Sequence, residues 1–186
     1  SNVSSDFKTL FSQDCPGRLS DKRALAIQDL LSTESRLGDR VLDIASNSGY
    51  FSVIAANAGL PVTAIDYDVG AIESLYIMLA SLPQHKPITP LLGNILTLTP
   101  EEVASLRSEF VLALGITHHL WWGGQLTWAT LSKLLSSITN RVLITEFKPG
   151  TKGRKSKVPL HIKENGENQI SNEYYTKEAF IHQLNA

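Results

Sequence analysis

Residues 41–147 alternate between short apolar runs and segments with helical spacing, and this alternation restricts the fold more than any other feature. Val41-Leu42-Asp43-Ile44-Ala45 reads as a buried strand. Tyr50 to Ala58 reads as a helix, ended by Gly59 with Pro61 just beyond. Val62–Ile65 is a second strand and Ala71–Leu82 a second helix. Ile88–Leu92 is a weaker strand, because Pro87 and Pro90 are at odds with a central place in a sheet. Pro100–Arg107 is a short helix with proline at its start. Phe110–Gly115 (strand), Leu126–Ile138 (helix) and Arg141–Phe147 (strand) complete the series. Apolar strands alternating with helices require a parallel sheet covered on both faces. Right-handed crossovers make it an α/β, Rossmann-like, doubly wound sheet. Ligands in such sheets lie at the carboxyl ends of the strands, where strand order reverses.

The flanks are of a different kind. Ser20 is placed to cap a helix whose apolar face carries Leu25, Ile27, Leu30 and Leu31, with Gly38-Asp39 closing it. Residues 1–37 are therefore expected to form a helical cap on a core of residues 38–147. Residues 148–186, within the same domain, hold a basic loop and a last helix, Thr176–Leu184. The length, 186 residues, suits one domain. Seventeen Lys and Arg against 18 Asp and Glu give a net charge of −1, which argues against a protein built to grip nucleic acid. A single cysteine, Cys15, excludes a disulfide framework and points to a reducing, cytoplasmic setting. No Cys/His cluster has zinc-ligand spacing, so no metal is expected. The longest apolar stretch, Phe110 to Trp122, is broken by His118 and His119 and is too short to span a bilayer.

Chemistry is expected where the strands end. The first runs into Ala45-Ser46-Asn47-Ser48-Gly49, small residues that let a ligand approach the backbone before a helix N-terminus. The second ends in Asp66-Tyr67-Asp68. Asp66 lies 23 residues after Asp43, near the spacing at which a carboxylate holds a ribose hydroxyl in dinucleotide folds. The competing role for Asp43 is to cap nearby loop amides, and for Asp66 to cap a helix.

On these residues, 41–147 resemble the class I S-adenosylmethionine-dependent methyltransferases. Val41 to Ser52 is similar to their first motif, an acid followed by three alternating glycines, here Ala45, Asn47 and Gly49. The resemblance implies a cofactor site of Asp43, Ala45, Ser46, Asn47, Gly49, Phe51, Asp66, Tyr67, Asn94, Ile95 and Gly115, with S-adenosyl-L-homocysteine as product. Asp66 matches the acid that holds the ribose. Gly93-Asn94-Ile95 matches the segment that reads the adenine, with Asn94 where aspartate is commoner; its amide oxygen is expected to accept from the exocyclic amine. A full Gly-x-Gly-x-x-Gly is lacking, which argues against a pyrophosphate ligand such as NAD. The family's sheet closes with an antiparallel hairpin, which is expected to be missing here: the chain is truncated, residues 148–175 replace the hairpin, or the domain is cut from a larger enzyme.

After the fourth strand comes Gly115-Ile116-Thr117-His118-His119-Leu120-Trp121-Trp122, similar to a Gly-x-x-His-His-Leu segment of small-molecule methyltransferases. The fifth strand ends in Thr145-Glu146-Phe147. Strands four and five are neighbours in this topology, so one histidine, with His119 slightly preferred, is expected as general base, oriented by Glu146. That implies O-methylation of a small-molecule hydroxyl, free or tethered to an acyl carrier protein, as in natural-product and polyketide assembly. Trp121, Trp122 and Trp128 are expected to wall the acceptor pocket or to pack as core. The run Lys148, Lys152, Arg154, Lys155, Lys157 reads as a solvated loop or an anion site. The alternatives are an RNA or protein methyltransferase and a non-catalytic scaffold of the same fold.

Overall fold

A computed structural model describes residues 22–122, 126–147, 163–164, 167–168 and 176–184 of the chain. Its elements are α1 (Lys22–Glu34), β1 (Val41–Ile44), α2 (Tyr50–Asn57), β2 (Val62–Asp66), α3 (Val69–Ser81), β3 (Ile88–Leu92), α4 (Pro100–Ser105), β4 (Ser108–Ala113), α5 (Thr117–Trp122), α6 (Trp128–Ile138), β5 (Thr139–Thr145), β6 (Lys163–Glu164), β7 (Glu167–Asn168) and α7 (Lys177–Leu184). The sheet order is β3-β2-β1-β4-β5, and every neighbouring pair is parallel. The chain runs outward from β1 to β3 and returns to β4 on the other flank. Strand order therefore reverses between β1 and β4, and the crevice above them is where a ligand fits.

Successive residues of β1 point to opposite faces, so each face acquires its own core. Val41 joins Phe110, Leu112 and Leu75 on the side covered by α1, α2 and α3. Leu42 and Ile44 join Val111, Ala113 and Trp128 on the side covered by α5, α6 and α7. At the other end of the strands, Arg141 pairs with Asp39 at 2.5 Å and ties β5 to the turn before β1.

The strands lie where the apolar runs place them, within two residues. Three findings add to the sequence reading. Pro90 sits within β3, which among the described residues pairs only with β2 and forms one margin of the sheet, where a residue without an N–H is tolerated. Residues 117–122, to which the sequence reading assigns no element, form helix α5. The five-stranded sheet is wholly parallel, and β6 and β7 pair antiparallel in a sheet of their own. Cys15, the expected Ser20 cap and the basic run of 148–157 lie outside the described residues.

Candidate active site

The β1–α2 turn sets the geometry of the crevice. Ala45 and Asn47 adopt left-handed φ angles of 56° and 50°, and Gly49 follows at 83°. The backbone conformation that usually calls for glycine is thus kept at all three places, although only the last holds one. Asparagine tolerates this region better than alanine does. Hydrogen bonds hold the turn: Ser46 N–H donates to Ile65 O (3.2 Å), Gly49 N–H to Ser46 O (2.9 Å) and Asn47 N–H to Asp66 Oδ2 (2.9 Å). Gly49 cannot be replaced without disturbance, because a Cβ there runs into the Leu75 side chain.

Asp66 is buried, and its second oxygen, Oδ1, accepts from Asp68 N–H at 2.9 Å. It therefore fixes the first loop against the end of β2. The helix-capping role belongs instead to Asp68, whose carboxylate accepts from Ala71 N–H. Asp43 is only 2 % exposed and accepts a hydrogen bond from Ser52 Oγ at 2.6 Å. Burial pushes its carboxyl up to about 7; the Ser52 bonds pull it down and the nearby Asp66 charge adds to the rise. Asp43 lines neither of the two cavities described below. It braces the first turn of α2 rather than presenting its charge to a ligand.

Two cavities flank Ala45. The first, about 330 Å³, is lined by Ile44, Ala45, Ile65, Asp66, Tyr67, Gly93, Asn94, Ile95, Leu96, Ile116, His119 and Leu120. It joins the end of β2, the turn after β3 and the start of α5. The second, about 260 Å³, is lined by Arg23, Ala45, Ser46, Asn47, Ser48, Tyr50, Phe51, Leu114, Gly115 and Glu146. Most of the expected cofactor residues are shared between these two cavities. Gly49 shapes the turn without lining either.

Asn94 Oδ1 accepts from Leu96 N–H at 3.0 Å, which closes the turn after β3. One of that oxygen's two lone pairs is thus used and the other remains for a ligand donor. Ile95, beside it, is buried and anchors the turn.

The start of α5 is tied to the end of β5 by Thr117 Oγ1, which donates to Glu146 O at 2.9 Å. His119 is exposed and lines the first cavity; His118 is half-buried and lines neither of the two. Their ring centroids are 4.0 Å apart. The Glu146 carboxylate pairs with Arg23 at 3.1 Å in the second cavity. Arg23 also lies over the Phe51 ring, 5.6 Å from its centroid. The sequence reading missed Arg23, since nothing in a helix 123 residues from Glu146 marks one charged side chain as facing the sheet's end. Trp121 and Trp128 are each 5 % exposed, with ring centroids 4.3 Å apart, and Phe180 meets Trp128 edge-on at 5.0 Å. These two tryptophans are core, not pocket wall. Among the described residues no group of three or more His, Cys, Asp or Glu is placed to hold a metal, and no helix is long and apolar enough to cross a membrane.

No family model matches the sequence, and no curated protein matches it. Solved structures do match. The bifunctional kinase-methyltransferase WbdD aligns at 23 % identity over 78 % of this chain and 32 % of its own, with a TM-score of 0.55. The CcbJ methyltransferase from Streptomyces caelestis aligns at 15 % identity over 71 % and 55 %, TM-score 0.54. Magnesium protoporphyrin IX methyltransferase from Synechocystis PCC 6803, solved with bound S-adenosylhomocysteine, aligns at 19 % over 81 % and 63 %, TM-score 0.54. The fold is that of the S-adenosylmethionine-dependent methyltransferases. The chain spans from about a third to just under two thirds of the length of these structures.

The residues present suit such a cofactor. A buried carboxylate, Asp66, ends β2 where a ribose would lie. Ser46 lines the second cavity, and its buried Oγ has no hydrogen-bond partner among the described residues. A zwitterionic amino-acid tail would satisfy that hydroxyl and meet both members of the Arg23–Glu146 pair.

Proposed function

We propose that this protein is an S-adenosylmethionine-dependent methyltransferase that methylates a hydroxyl of a small molecule, free or tethered to a carrier protein. The observation that carries the reading is the pair of cavities on either side of the left-handed Ala45–Gly49 turn. One has the acid and the mixed apolar and polar lining a nucleoside needs. The other has the opposite charges an amino-acid tail needs. The match to an enzyme whose name specifies a porphyrin supports a small-molecule acceptor.

In this reading Asp66 accepts from the ribose hydroxyls, with Tyr67, Ile95 and Leu96 against the base. Ser46, Arg23 and Glu146 receive the methionine end. When bound, the cofactor supplies a methyl group on a sulfonium, ready for in-line displacement. The chain then contributes alignment, which is most of what such a transfer requires. His119 is exposed and lines the nucleoside cavity. Its unprotonated ring nitrogen takes the proton of the acceptor hydroxyl as the new bond forms, a contribution of about 10²–10⁴-fold. Glu146, held beside Arg23, contributes to cofactor binding before it contributes to the base.

Titration calorimetry with S-adenosylhomocysteine tests the cofactor. Saturable binding with a raised melting temperature is expected, and no heat with no thermal shift refutes the reading. His119→Ala is expected to retain that binding while turnover on a hydroxyl acceptor falls at least a hundredfold. Unchanged turnover would remove His119 from the chemistry.

A further inference from the structure

We propose that the solvent face of α3 is a docking surface for a second copy of this chain, with the two α3 helices antiparallel across a two-fold axis. The inference is independent of the cofactor reading, since none of the residues it uses lines either cavity.

Helix α3 has two faces of unlike burial. At 100° per residue, positions 71, 72, 75, 78 and 79 share one half of the helix. There Leu75 is buried and the others are half-buried. The opposite half carries Val69, Glu73, Tyr76, Ile77 and Ala80, all exposed. A surface helix ordinarily turns charge to water, and the exposed residues of α1 include Lys22, Arg23, Asp29 and Glu34. On α3 the only charge is Glu73, while Val69, Tyr76 and Ile77 are 53 %, 66 % and 67 % exposed. Leu92 extends the same face. Ile88 of β3 joins the core beneath α3, and Leu92, four residues on, points to that side of the sheet and is half exposed.

Burying this face strands no side-chain donor. Of the small residues beside the apolar ones, Ser74 donates its Oγ proton to Gly70 O and Ser81 donates to Met78 O, each at 2.7 Å. Their hydroxyls are already matched within the helix, so a partner can pack on them without loss. Tyr76 is the kind of side chain that covers apolar surface while its hydroxyl stays at a wet rim.

The area and the charge pattern select a second copy. Val69, Tyr76, Ile77 and Leu92 leave about 450 Å² open, and the small exposed residues and Glu73 raise the face to about 700 Å², close to the roughly 800 Å² per partner of a stable interface. With one charge on it, the face offers nothing to a strongly acidic or basic partner. An antiparallel pair centred between positions 76 and 77 sets Tyr76 beside Ile77 of the second copy. It also sets Glu73 over Ala80 of the second copy, a side chain short enough to leave the carboxylate a path to water. A two-fold interface needs such a self-complementary patch.

Sedimentation equilibrium of the unmodified protein tests the proposal. A monomer–dimer equilibrium with a midpoint on the order of 10 µM is expected, and a monomer at every concentration up to about 300 µM overturns the proposal. Ile77→Asp and Tyr76→Lys are each expected to raise the dimer dissociation constant at least tenfold, the loss of a central apolar contact. Both side chains are exposed, so urea midpoints are expected to stay unchanged, and the second variant serves if the first is unfolded. Leu25→Asp, which removes an exposed leucine from α1 instead, is expected to leave the equilibrium unchanged. A dimer that persists in Ile77→Asp and Tyr76→Lys, or that Leu25→Asp disrupts equally, forms through another face and overturns the proposal.

Discussion

Asp43 shows how much one residue's surroundings decide. Its carboxyl sits in the middle of β1, opposite Ala64 on one side and Leu112 on the other, with Ser52 Oγ as its hydrogen-bond donor. Burial favours the neutral form, and the folded-state value rises to about 7 from an ordinary 3.8. The sign follows from proton linkage. The unfolded chain releases this proton first as pH rises. Stability from this group is complete below about pH 4, declines as pH rises toward about 7, and is lost above that. The loss is no more than about 4 kcal/mol. Asp43→Asn removes the titration, so the variant is expected to gain on the unmodified protein between pH 5 and pH 8 in urea melts. Parallel pH profiles would mean that Asp43 ionises freely. The neighbouring turn gives a second residue-level test. Gly49→Ala meets both a positive φ and the Leu75 side chain, and is expected to cost about 2 kcal/mol or more. Ala45→Gly relieves a left-handed alanine and is expected to stabilise by about 0.5 kcal/mol, because the freer unfolded chain offsets part of the relief. Chemical denaturation of the two variants reads both effects.

At the scale of elements, legibility in the sequence depended on length and on where the partners lie. β1, β2 and β4 are mostly apolar and buried except at Thr63 and Glu109, so a short run is enough to mark them. α4 announces itself locally, with Thr99, Pro100 and Glu102 forming a capping box. Helix α5 has six residues, too few for a 3.6-residue period to show, and its aromatic content reads equally well as a loop over a pocket. The candidate site divides along the same line. Asp66, Ala45, Asn47 and Asn94 could be named because each stands at a strand end or in the turn after it. Arg23 could not, since its relation to Glu146 arises only when α1 packs on the sheet. The aromatic contacts of Trp121 and Trp128 are equally non-local, which is why the sequence left open whether they wall a pocket or fill a core.

For the whole molecule, the two cores on opposite faces of one sheet share β1 and β4, so packing lost on either face should lower the stability of both. Helix α7 is the exception to test. It is held by Phe180, which is 5 % exposed against Trp128 and Phe147, and by Ser132 Oγ donating to Gln183 O at 2.7 Å. Phe180→Ala is expected to cost about 3 kcal/mol. Hydrogen exchange distinguishes the two ways this can appear. Faster exchange confined to residues 177–184 means that α7 detaches alone, whereas faster exchange in β1 and β4 as well means that both cores open together.

β3 is one of the two edge strands, and among the described residues one side of its backbone ladder has no neighbour in the sheet; such margins invite a second chain to add on. Pro90 takes one rung out of that ladder, since it has no N–H to offer, and Pro87 precedes it by three positions. The same imide that first counted against a strand here therefore has a use in crowded solution: it makes this flank a poor template for fibril growth, even though the strand itself is kept.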